Sequence, residues 1–381
     1  MSSSHVRKPI NQTLTELQSL RGLAASAVLV HHSLRSVHPT DTLSLVADRL
    51  VDAQAVVVFF FVLSGYVLSA SLSRRELNLT EIASFYIRRV FRIYPAIFVA
   101  CLAIVVVLVA VPHPSGKLAS LWIRSYHADG LAPRGALVLS FLAVSTYLHP
   151  MLWTMFVELN ASAFMPVIRA AQLRGARGLV VLVVALSLLS VLFPNHTKLV
   201  SVYLVTFAIG ATVPFMAAAV SRLHRRSRAL EAMSLVAAVM VMLWFRELIP
   251  REHMPSHGPL LIQVEALAGA WIIALTVHRP HGYPGLRHPV LVKLGDVSYG
   301  IYLLHFPVLL VAVTAAETLL PSDVNRTALG FGIAAAVYVV TVVVSAVCYV
   351  AVELPAVAIG RRLAQLVRDR AGVRSPGAIR R

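Results

Sequence analysis

The chain has 381 residues, of which 58% are hydrophobic and only 13% charged, with a mean hydropathy of +0.76 and a formal net charge of +17. Soluble domains carry about 25% charged residues, so a water-soluble globular fold is excluded. The positive charge falls in short clusters between apolar runs, which fits lipid headgroups and membrane topology and argues against nucleic-acid binding.

A bilayer crossing takes about 20 residues of helix, and apolar runs of that order predict ten spans: 17–36, 51–71, 93–111, 151–170, 179–193, 199–220, 230–249, 259–277, 297–319 and 327–352. The expected fold class is therefore all-α, a polytopic transmembrane bundle. The first run follows a polar leader, carries Arg21 and has no convincing cleavage site behind it, so it reads as a retained span, not a signal peptide. With the N-terminus in the cytoplasm, 25 of the 34 Lys and Arg residues face inside and 9 outside, which selects this orientation and places both termini inside. The apolar stretch 135–149 is too short to cross and is followed by Pro150; counting it as a span would send the Arg222–Arg228 cluster outside, so a re-entrant or interfacial helix is expected there. No internal repeat or linker is visible. Residues 1–360 read as one transmembrane domain and 361–381 as a basic cytoplasmic tail. Cys101 and Cys348 lie in apolar runs and read as packing residues, with too few ligands for a metal site.

Ionisable groups within spans cost at least a few kcal/mol each, so they mark function by default. In the first span, Arg21 and His32 return to within about 20° of one helix face, roughly 16 Å apart along the axis, whereas His31 falls some 80° to the side. His32 is the expected reactive imidazole; the plainer alternative is a ring that snorkels or bonds a carbonyl. In the second span, Ser64-Gly65 permits close approach of a helix or a ligand. Arg88, Arg89 and Arg92 follow, expected in a loop at the inner edge, where three guanidiniums fit a polyanionic ligand or anchor to lipid. Glu158, after Trp153 in the fourth span, needs a partner: Arg21, a histidine or a proton. Tyr299, Tyr302 and His305 form a drifting stripe in the ninth span, and Pro307 frees a backbone carbonyl there. Glu353, near the inner interface, is given a supporting role only.

Five motifs in order carry a family resemblance. Arg21-x10-His32, Phe60-Phe61-Val62-Leu63-Ser64-Gly65-Tyr66, Arg88-Arg89-Val90-Phe91-Arg92-Ile93-Tyr94-Pro95, Leu152-Trp153-Thr154-Met155-Phe156-Val157-Glu158 and Ser298-Tyr299-Gly300-Ile301-Tyr302-Leu303-Leu304-His305-Phe306-Pro307 resemble the acyltransferase family 3 signatures of bacterial membrane O-acyltransferases. Leu159, Ser162 and Ala163 depart from the family's usual continuation after Glu158, and the extracytoplasmic hydrolase-like domain of some members is not seen here.

The resemblance implies an O-acyltransferase, and most often an O-acetyltransferase, of the inner (plasma) membrane. Its donor would be acyl-CoA, bound as a substrate with no permanently held cofactor, and its acceptor a hydroxyl of a surface glycan, glycolipid or glycosylated metabolite. On that reading His32, Glu158 and Arg21 are catalytic, with Glu158 orienting the imidazole. Arg88, Arg89, Arg92, Ser64 and Gly65 meet the donor, and Trp153, Tyr299, Tyr302 and His305 meet the acceptor. A competing class is a secondary transporter or exporter, because intramembrane Glu, His and Arg also build proton relays. A third is a non-catalytic scaffold.

Overall fold

The computed structural model describes residues 10–50, 52–73, 77–126, 133–192, 200–248, 258–279 and 282–372, and among these it contains helices, turns and one isolated β-bridge, Val37 with Ala119. The principal helices are α1 (Ile10–Leu34), α2 (Ala53–Ser73), α3 (Leu79–Ala110), α4 (Leu152–Leu173), α5 (Gly175–Leu192), α6 (Val200–Gly210), α7 (Ala217–Arg226), α8 (Arg228–Trp244), α9 (Pro259–His278), α10 (Pro289–Asp296), α11 (Ser298–Leu319), α12 (Arg326–Cys348) and α13 (Leu354–Arg370). The protein is thus a helical membrane bundle.

Among the described residues, six segments, carrying α2, α3, α5, α9, α11 and α12, are each long and apolar enough to cross a bilayer. A seventh crossing arises if α6 and the helical stretch after it, bent by 43° at residues 211–212, act as one. The other predicted spans coincide with α1, α4 and α8. The first two have 25 and 22 residues but are diluted by polar side chains, and α8 has 17 residues. The least apolar long helices are therefore the ones carrying Arg21, His32 and Glu158.

Glycines set the close crossings. A Cβ on Gly65 would lie 2.2 Å from the Phe207 carbonyl oxygen, and one on Gly210 would lie 2.0 Å from that of Val62, so α2 and α6 meet backbone to backbone. Likewise a Cβ on Gly295 would lie 2.1 Å from the Gln18 carbonyl oxygen, and one on Gly22 would lie 2.7 Å from the Gly295 nitrogen, which locks α10 to α1. At the other end of α2, Arg246 joins Asp52 (3.0 Å) and the fully buried Glu265 of α9 (2.8 Å), an ion triad tying three segments together.

One expectation changes. The segment 88–95 is not a loop: Asn78 caps α3 through the Glu81 N–H (2.9 Å), nothing in 79–94 breaks the helix, and Pro95 is absorbed inside it. The arginines therefore stand on a rigid helix face. Residues 361–370 continue α13, which packs on α3, with Ser84 Oγ donating to the Ala364 carbonyl (3.1 Å) and Gly360 against Phe91. The last nine residues of the predicted tail lie outside the described residues. The stretch 135–149 holds a short helix, Arg134–Phe141, and then non-helical chain.

Candidate functional site

A cavity of about 260 Å³ opens between α1, α2, α3, α4 and the start of α11. Arg21, Arg89, Arg92 and Glu158 supply its charge, an excess of two positive groups, and Val57, Phe60, Phe61, Leu63 and Met155 supply much of its apolar wall. Arg89 Nη2 lies 2.6 Å from Glu158 Oε1, and Arg92 Nη1 lies 3.2 Å from Oε2 of Glu353, whose side chain is fully buried. Arg92 also sits over the Tyr299 ring, 5.7 Å from its centroid. The paired carboxylates hold two guanidiniums in place without cancelling the positive excess. Near this end, burial pushes the Asp296 carboxyl up, opposed by Arg92 and Arg21.

Ser64 lines the cavity; Gly65, one position on, faces α6 and serves helix packing. Helix geometry likewise splits the arginines: Arg89 and Arg92 line the cavity, and Arg88 does not. Trp153 stands behind the wall, packed on Phe61 (6.2 Å) and Tyr203 (5.4 Å). Tyr299 lines the cavity and donates to the Ile93 carbonyl (3.0 Å), and Tyr302 shares a 2.9 Å hydrogen bond with Thr154.

The hydrogen-bond partner of His32 is His305. Nδ1 of His32 lies 2.8 Å from Nε2 of His305, with ring planes 19° apart. Nδ1 of His305 in turn lies 3.1 Å from the Ile301 carbonyl oxygen. A carbonyl only accepts, so in the neutral pair His305 Nδ1 carries a proton and its Nε2 accepts from His32 Nδ1–H. That leaves Nε2 of His32 with a free lone pair, the requirement of a general base. Glu158 is engaged with Arg89 and shares the cavity with Arg21, which precedes His32 by about three turns of α1. His31 turns away as its angle predicts, with Nδ1 2.9 Å from the Ala47 carbonyl.

Phe60 and Tyr302, edge to face at 6.3 Å, join the two halves of the site: both line the cavity, and the Tyr302 ring lies 6.1 Å from His305. Glu353, given a supporting role from the sequence, holds Arg92. Two contributors escape sequence reasoning. Trp122, lying nearly parallel to His32 with centroids 5.2 Å apart, comes from a segment outside the motifs. His149 is the second, and its signal is readable: Pro307 cannot donate to Leu303, and His149 Nε2 takes that carbonyl instead (2.8 Å).

The described residues thus place a histidine pair and a cationic cavity inside a helical membrane bundle. Residues 14–350 match the acyltransferase domain family that bears the name acyltransferase family 3, and the chain belongs to that family. It is an acyl-transferring enzyme. The chain is similar to nodulation protein 10 of Rhizobium leguminosarum bv. viciae, 26% identical over 308 residues, covering 76% of this chain and 81% of the relative. It is also similar to acyltransferase MdmB of Streptomyces mycarofaciens, 25% identical over 328 residues, covering 78% and 79%. No solved structure matches it.

Proposed function

We propose that this enzyme is an O-acyltransferase, with acetyl as its preferred group, that takes acyl-CoA from the cytoplasmic side of the inner (plasma) membrane. The acceptor is a hydroxyl of a surface glycan, glycolipid or glycosylated metabolite, and both chain termini face the cytoplasm. The observation that carries this reading is the pairing of an arginine-lined cavity with the His32–His305 dyad across Tyr302.

Arg89 and Arg92, fixed by Glu158 and Glu353, grip CoA phosphates, and Arg21 lies deeper along the pantetheine arm. His32 Nε2 takes the proton of the acceptor hydroxyl as its oxygen attacks the thioester carbonyl. The C–O bond forms, the C–S bond breaks, and His32 returns the proton to the departing CoA thiolate. His305 stabilises the imidazolium and holds the working tautomer.

The test is reconstitution of purified protein in liposomes containing lipid extract of the source cell, with radiolabelled acetyl-CoA. Label entering an ester-linked, alkali-labile product together with CoA release supports the reading; uptake of intact solute without thioester consumption assigns the protein to the transporter class instead.

A further inference from the structure

The segment 113–126, between α3 and α4, is an Ω-loop closed by His113 Nε2 on the Tyr126 carbonyl (3.1 Å). It is not anchored by apolar packing alone. Glu317, near the end of α11, accepts the backbone N–H groups of Ser115 (2.6 Å), Gly116 (3.1 Å), Leu118 (2.9 Å) and Ala119 (2.8 Å), and the Ser115 hydroxyl as well (3.1 Å). A carboxylate with this many N–H donors has few other conformations open to it.

The same loop is then stitched to the chain leaving α1. His38 N–H donates to the Leu118 carbonyl (2.9 Å), Ser120 N–H to that of Ser36 (2.9 Å), and Ser120 Oγ to that of Arg35 (2.7 Å). Two residues past this short antiparallel pairing comes Trp122. Its indole lies 28° from the plane of His32 at 5.2 Å, and it packs edge-on with Phe306 (6.0 Å), the neighbour of His305. Glu317 lies twelve residues beyond His305 on the same helix, about 18 Å along its axis, so one helix carries both the anchor of the loop and the partner of the base.

We propose that Trp122 is the positioning residue of the His32 imidazole, and that Glu317 holds it there through the 113–126 loop. His305 fixes one ring nitrogen of His32 but leaves the ring free to rock about that hydrogen bond. The indole removes that freedom, so Nε2 keeps one direction and bulk water is kept from it. This rests on the reading of His32 as the base of acyl transfer, and its test has a readout independent of turnover.

The readout is carbethoxylation of His32 by diethyl pyrocarbonate in native membranes, followed by peptide mass spectrometry, beside transfer of label from acetyl-CoA into those membranes. In Trp122→Ala, His32 modification rises about ten-fold as local opening becomes easier, and kcat falls about 10- to 100-fold with KM for acetyl-CoA unchanged. Trp122→Phe keeps an aromatic face and restores both to within about two-fold of wild type. Glu317→Gln, distant from the ring, moves both in the same direction by a few-fold, about what a lost charge-assisted anchor costs. Unchanged His32 modification in Trp122→Ala and Glu317→Gln overturns the proposal, as does an equal loss in Trp122→Phe. Altered protection of His32 with no label transferred by wild type would instead uphold the positioning role and refute acyl transfer from acetyl-CoA.

Discussion

His32 Nδ1 lies 2.8 Å from His305 Nε2, and the separation of 273 positions between them is also that of Gly22 and Gly295, which touch at the α1–α10 crossing. One register thus runs from the glycine contact to the histidine dyad. Because His305 acts as an acceptor to His32, an amide oxygen at the end of a similar side chain does part of its work. We expect His305→Ala to lower kcat by about 10² or more, and His305→Gln to recover a measurable part of it, read as initial rates of acyl transfer at saturating donor.

The register itself is open to test. A methyl group on residue 295 meets the Gln18 carbonyl oxygen at 2.1 Å, so α1 and α10 must part. Displacement of about 1 Å at a reacting group costs on the order of 10²-fold. Gly295→Ala is expected to lose kcat on that scale while the detergent-solubilised protein still elutes as a single species on size exclusion.

The arginines divide by helix face. Arg89→Ala and Arg92→Ala should each weaken acetyl-CoA binding by roughly 10- to 100-fold, the worth of a charged hydrogen bond of about 1.5–3 kcal/mol. Arg88→Ala, on a residue that does not line the cavity, should stay within about two-fold, a few tenths of a kcal/mol. Equilibrium binding to the three variants checks the split, and unchanged affinity in all three would make the cluster purely topological.

Glu353 is buried against Arg92, and Glu353→Gln leaves that guanidinium without its countercharge. Buried pairs broken in this way cost about 3–5 kcal/mol; the partial exposure of Arg92 reduces this to about 1–2 kcal/mol. A lowered thermal midpoint in detergent, accompanied by weaker acetyl-CoA binding, is the expected outcome.

Much of this was legible in the sequence because the relevant signals are local. Arg21 and His32 share a face by helical angle alone, His31 is turned aside by the same arithmetic, and the five motifs in order identify the family. What stayed hidden depends on contacts between distant segments. Glu158 had three possible partners and took Arg89, a residue expected in a loop but carried on a helix capped by Asn78. His305 reads from the sequence as an acceptor-side group, since only the packing of α1 against α11 shows that it faces His32. Gly65 could serve a ligand or a helix, and α6 decided it. Trp122 and Glu317 lie outside every motif, and their roles exist only once the 113–126 loop is seated.

The most direct test of the account is the single-turnover transfer of label from acetyl-CoA by wild-type and His32→Ala protein in parallel liposomes. We predict that His32→Ala binds acetyl-CoA with wild-type affinity, remains folded in the membrane and transfers no acyl group above background. Near-normal transfer by that variant would contradict the central role given to His32.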